Sequence, residues 1–185
     1  LSVLGGPSAN MYGMAGKDKS LCESCARASC IHPTICKNLN QQFDPIIDIY
    51  RTVDSLPYVK HAFVGSGIRY DLMSDAYARQ LITRHVSGRL KVAPEHCADK
   101  VLHLMRKPTW EKYLRFRQLF LSINEDAGLR QQLIPYFISS HPGCTKQEMK
   151  QLAIETQRMH YKPEQVQDFT PTPMTYSTAM FYLGY

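Results

Sequence analysis

Four cysteines crowd one short segment as Cys22-x2-Cys25-x4-Cys30-x5-Cys36, and thiols at that density can surround a single tetrahedral metal ion. In a reducing compartment such a cluster reads as a metal site rather than a disulfide framework. Its spacing is that of neither a common zinc ribbon nor a ferredoxin run. Zinc and an auxiliary iron–sulfur cluster therefore stand equal as occupants, with His32 as a substitute ligand. The alternative is four unligated thiols in an open loop. Cys97 and Cys144 lie far from the cluster along the chain.

A second set of chemistry-bearing residues sits at regular places. Five short apolar runs, Leu1–Leu4, His61–Val64, Arg89–Val92, Leu133–Ile138 and Gln165–Phe169, read as strands. Each gives way to small, polar or proline-containing residues: Gly5-Gly6-Pro7-Ser8, Gly65 through Asp71, Pro94-Glu95-His96, Ser139 through Gly143, and Thr170 through Pro173. In parallel α/β folds, ligands bind at the carboxyl ends of the strands. Taken singly, each segment also suits a plain turn; five together point to a site.

The elements that must position these groups are helices between the runs. Asp44 can cap a helix with Pro45 at its first position and Ile46, Ile49, Tyr50 and Val53 on one face. Asp75 opens a second helix reaching about His85, and Asp99 a third with Val101, Leu102 and Met105 inward. Thr109 precedes a long aromatic helix, and Thr145 with Glu148 forms a capping box ahead of Met149 and Leu152. Strands separated by helices pair in parallel through crossovers, so the class is α/β. Pro135 inside the fourth run cannot donate to a ladder and suggests a bulge or a later strand start.

Composition bounds the function classes. The 185 residues are 44% hydrophobic and 21% charged, ordinary for a soluble globular domain. The net charge of +6 would suit an anionic partner such as RNA, but the basic residues are scattered, with no run longer than Arg106-Lys107. No apolar stretch approaches the roughly 18 residues of a membrane span, and no leader peptide is visible, so a cytoplasmic location is expected. No repeat or linker divides the chain, which reads as a single domain over 1–185 with a cysteine-rich insertion at 17–43. Its start on Leu1, inside an apolar run, points to a piece of a longer protein.

Five stretches carry a resemblance to a known family. They are Leu4-Gly5-Gly6-Pro7-Ser8-Ala9-Asn10-Met11-Tyr12, Ser66-Gly67-Ile68-Arg69-Tyr70-Asp71-Leu72, Leu90-Lys91-Val92-Ala93-Pro94-Glu95-His96, the run from Ile134 to Thr145, and the run from Gln165 to Thr175. In these the chain resembles the YgiQ-type (UPF0313) radical S-adenosylmethionine proteins, and more distantly the radical methylthiotransferases. The resemblance implies a partial (β/α) barrel of about five parallel strands with helices outside. It also implies reductive cleavage of S-adenosylmethionine by a [4Fe–4S] cluster held in a Cys-x3-Cys-x2-Cys loop. No triplet of that spacing occurs here; by the family pattern it belongs to the strand before Leu1, and this stretch alone is expected to be inactive.

The resemblance further implies that Gly5 and Gly6 contact the methionine amino group through backbone atoms, a tight turn being the alternative. Arg69 can clamp the ligand's carboxylate, unless it only pairs with Asp71. Ser66 is a ribose or carboxylate contact. Glu95 can accept from ribose hydroxyls or the amino group, and Lys91 either faces the barrel interior, where Glu95 or the ligand is its counter-charge, or points outward to solvent. Ser139 ends the next strand, where His141 either meets adenine or shuttles a proton, or is a satisfied structural histidine. The expected function is thus a radical enzyme segment supplying S-adenosylmethionine-binding and barrel-wall residues, its substrate, small or macromolecular, unnamed. The alternative is a non-catalytic, zinc-stabilised module binding RNA; a simple barrel hydrolase ranks last, since no nucleophile elbow is present. An exposed Leu1–Leu4 edge strand would invite self-association.

Overall fold

The structure, a computed structural model, describes residues 4–6, 8–160, 163 and 166–185. Among them the order is α1 (Lys19–Glu23), α2 (Asp44–Asp54), α3 (Asp75–Arg84), β1 (Arg89–Glu95), α4 (Asp99–Leu104), α5 (Trp110–Asp126), β2 (Gln132–Ser139), α6 (Lys146–Arg158), β3 (Val166–Asp168) and α7 (Tyr176–Tyr182). The strands form one sheet in the order β1-β2-β3, and β2 and β3 run parallel with Phe137 opposite Val166 and Ser139 opposite Asp168. The α/β class is as expected.

Three of the five expected strands are present among the described residues. Of Leu1–Leu4 only Leu4 is described. His61–Val64 makes no ladder there; its backbone is held by two separate bonds, Leu4 N–H to Phe63 O at 2.8 Å and Val64 N–H to His85 O at 2.9 Å. An apolar run becomes a strand only where a neighbour offers a continuous row of partners. Pro135 lies inside β2, which starts earlier than the late start that the proline suggested. The described register with β3 begins at Phe137, two residues beyond the proline, so no ladder bond to β3 is asked of it.

Helix starts follow local chemistry, with the caps shifted from the expected residues. The N-cap of α2 is Phe43, and Asp44 and Pro45 fall in the first turn, where an acid complements the helix dipole. Ser74 caps α3, its Oγ accepting from Tyr77 N–H at 3.2 Å. Asp99 caps a different helix from the one expected, since its Oδ1 accepts from the N–H of Trp110 at 2.8 Å, where α5 begins. The capping box of α6 forms as expected: Thr145 Oγ1 accepts from Gln147 N–H at 3.1 Å, and Glu148 Oε2 accepts from Thr145 N–H at 2.7 Å. That bonding, the Thr145 hydroxyl first, holds the Glu148 carboxyl below its usual range.

The chain divides into two compact units, 1–92 with 115–133 and 93–114 with 134–185, and the divisions cut through β1, α5 and β2. In the first unit Ile46, Ile47 and Tyr50 of α2, Tyr77, Leu81 and Ile82 of α3, and Phe116, Phe120 and Ile123 of α5 are buried. The Tyr50 and Tyr77 hydroxyls bond each other at 3.1 Å, and burial pushes the Tyr77 phenol far up from its ordinary value. In the second unit Cys97, Phe137 and Leu152 form a core against which Trp110 and Met149 pack.

Candidate functional site

The glycine-rich loop and the segment from Ser66 to Leu72 are stitched together within the first unit. Asn10, fully buried, donates to Arg69 O at 2.7 Å and to Leu72 O at 2.5 Å, and accepts from Arg69 N–H at 2.8 Å. Ala9 N–H adds a bond to Gly67 O at 3.1 Å. One side-chain amide thus satisfies three backbone groups that the irregular loop could not satisfy itself. Gly5 stands at φ +146, where a Cβ would come within 2.3 Å of Ser66 Oγ. Its missing side chain is what lets the two loops approach. The Ser66 hydroxyl is buried and has no hydrogen-bond partner among the described residues.

Beside this junction lies a cavity of about 530 Å³, lined by Gly5, Gly6, Ala9, Tyr12, Ile49 and Tyr50 among others. That volume and its apolar floor suit a small organic molecule. Arg69 does not aim its fork at the cavity's prospective ligand. Its Nε and Nη2 donate to Asp71 Oδ1 and Oδ2 at 2.9 and 2.8 Å, and the Asp71 side chain is only 2% exposed. The ion pair, one of the two expected arrangements, is therefore the one present. A buried carboxylate of this kind needs its bidentate partner.

In the second unit the chemistry gathers at the C-terminal ends of β1 and β2. Glu95 ends β1 with φ +68, a left-handed backbone unusual for a residue other than glycine, and is 7% exposed. Its Oε1 accepts from Lys107 Nζ at 2.8 Å, while Oε2 is buried with no partner among the described residues. Of the two expected placements of Lys91, the structure presents the solvent-facing one and not the inward one opposite Glu95. Lys91 is exposed on the face of β1 that also carries Arg89, opposite buried Leu90 and Val92, because strand side chains alternate over the first four residues of β1. Lys107 holds the place instead.

Three nearby side chains are spoken for. Ser139 bonds Asp168 across the β2–β3 pair. His141 Nδ1 donates to Pro142 O at 2.8 Å, so its Nε2 accepts from the Ser177 hydroxyl at 2.8 Å, and Phe169 packs edge-on against the ring. Of the two expected readings for His141, the structure presents the satisfied histidine. His96 has its Nδ1 occupied by the Ala98 N–H at 2.9 Å, which leaves the ring proton on Nε2, 3.5 Å from Cys144 Sγ. Burial lowers the affinity of His96 for a further proton and raises the Cys144 thiol above its usual value. Both shifts oppose a thiolate–imidazolium pair, so this couple is not an activated nucleophile. Burial likewise pushes the Cys97 thiol up to about 12.

The four clustered cysteines belong to the first unit and are free thiols. All four line one hollow of about 730 Å³ together with Arg27, Thr34 and Asn38. Among the described residues no three His, Cys, Asp or Glu side chains stand in a metal-binding arrangement. Asn10, Lys107 and Ser177 were not singled out from sequence. An amide, an amine and a hydroxyl acquire such roles only from what the fold sets opposite them.

Fold and site thus define a mixed α/β protein whose buried polar groups gather at loops following strands and apolar runs. No family model matches the chain. Over its whole length, however, it is 55% identical to a UPF0313 protein of Bacteroides thetaiotaomicron, 54% to one of Porphyromonas gingivalis and 46% to one of Rhodopseudomonas palustris. The chain belongs to the UPF0313 family. It spans 32%, 31% and 28% of the length of these relatives. No helix among the described residues is long and apolar enough to cross a membrane.

Proposed function

We propose that this stretch supplies S-adenosylmethionine-binding and wall residues of a partial (β/α) barrel in a radical S-adenosylmethionine enzyme. The observation that carries the reading is Glu95: a buried carboxylate at a strand's C-terminal end, on a strained backbone, with one oxygen neutralised by Lys107 and the other unpartnered. Such an oxygen is where a ribose hydroxyl or an amino group would donate. Within the first unit, the buried Ser66 hydroxyl is likewise without a partner among the described residues. Bound to a reduced cluster, S-adenosylmethionine supplies hydrogen-atom abstraction.

The residues present do not fit the radical cluster itself. The sequence has no Cys-x3-Cys-x2-Cys triplet, and the spacing from Cys22 to Cys36 is different, so no step is assigned to a cluster on this chain. What the chain's own residues do is bind and orient. Lys107 holds Glu95 Oε1 in place, Asn10 holds the Arg69 loop against the glycine loop, and Asp71 fixes the Arg69 guanidinium.

The test is anaerobic reconstitution of the full-length UPF0313 protein with iron and sulfide, followed by reductant and assay of 5′-deoxyadenosine. Glu95→Gln is expected to lower S-adenosylmethionine affinity about tenfold, the scale of one charge-assisted hydrogen bond. Absence of 5′-deoxyadenosine from a protein carrying its full iron complement would overturn the reading.

A further inference from the structure

We infer that Cys22, Cys25, Cys30 and Cys36 together ligate one thiophilic metal centre that acts as the core of the segment 17–38. This does not depend on the function proposed above. The segment is a closed excursion. It leaves and returns through the antiparallel bridge Gly16–Leu39, tied by Asp18 N–H to Asn38 Oδ1 at 2.9 Å and Asn38 Nδ2 to Asp18 O at 2.8 Å. Above that neck, no side chain from 17 to 38 is buried. Ordering a segment of this length costs chain entropy that only burial or a cross-link can offset, and hydrophobic burial is lacking. The helix α1 within it is a single short stretch, too short to persist by itself.

What the segment does contain is four free thiols around the wall of one hollow. Ligation draws them inward onto the metal, and each sheds its proton to solvent without any change of oxidation state. Four thiolates on a divalent ion, or on a [4Fe–4S]²⁺ cluster, leave a centre of charge −2. Lys17, Lys19, Arg27 and Lys37 against Asp18 and Glu23 give the same segment a formal +2 (four minus two), which neutralises it. Arg27 already reaches across the loop, its guanidinium donating to the backbone carbonyls of Ser29 and Thr34. Asn38 Nδ2, 3.3 Å from Cys22 Sγ, is placed to donate to a ligating sulfur.

The experiment compares full-length protein with its Cys22→Ser/Cys25→Ser/Cys30→Ser/Cys36→Ser variant and with a Cys97→Ser/Cys144→Ser control, all purified anaerobically. Metal and sulfide are quantified, and the segment is probed by limited proteolysis with and without chelator. Loss of one zinc per chain in the quadruple variant supports a mononuclear centre; loss of about four irons with sulfide supports a cluster. Either must be accompanied by faster cleavage within 17–38 on metal removal, while the control variant keeps its metal. Should the quadruple variant fail to fold, Cys36→Ser and chelation of the wild type provide the same comparison. Equal metal content in wild type and quadruple variant, or cleavage unchanged by metal removal, overturns the inference. A negative 5′-deoxyadenosine assay leaves this outcome unaffected.

Discussion

At the scale of single residues, the first unit depends on an absence. Gly5 has no Cβ, and Ser66 occupies the space one would need. Gly5→Ala is expected to destabilise the protein by about 1–3 kcal/mol, through the 2.3 Å clash and the unfavourable φ together. Adding Ser66→Ala should restore only part of this, because the backbone conformation remains wrong for alanine; urea unfolding of the single and double variants measures both. Gly5 was legible in the sequence as a special position. That its partner is a serine some sixty residues away was not, since nothing local to either residue encodes the approach.

At the scale of elements, caps and patterns carried most of the information. The Thr145–Glu148 box is local chemistry, set by two residues three apart, and it forms as read. Thr145→Ala removes the acceptor for Gln147 N–H and should cost about 1 kcal/mol in thermal unfolding. The same change should raise the Glu148 carboxyl toward its ordinary value in an NMR titration, since the Thr145 hydroxyl is the main cause of its depression. Strands were less legible. Arg89–Glu95 and Gln132–Ser139 find neighbours and become β1 and β2, whereas His61–Val64, equally apolar, has only scattered backbone partners among the described residues. Strand formation needs a second segment, and periodicity within the first cannot supply it.

At the scale of the whole molecule, stability should depend on pH through two buried histidines. Burial depresses His96 and His141 below the ordinary imidazole value. In the unfolded chain each binds a proton near pH 6.5, and in the folded chain only at lower pH. The unfolded state therefore gains protons first, and stability falls as pH drops below about 6.5, levelling off below the folded values. Urea midpoints should accordingly decrease from pH 7.5 to pH 5.5. A midpoint that rises over that interval would show the histidines to be charged and paired in the folded state.

The sequence by itself determined the α/β class, the helix starts, the motif order that identifies the UPF0313 family, and the grouping of four thiols. All of these are written in residue type and short spacing. Tertiary structure alone decided that Lys107 rather than Lys91 faces Glu95, that Asp71 takes the Arg69 fork, and that both nitrogens of His141 are engaged. Those outcomes depend on which face of a strand meets the core and on what a distant segment brings opposite. Burial then fixes each choice, because an unpaired charge or polar group is tolerated in water but not beneath the surface.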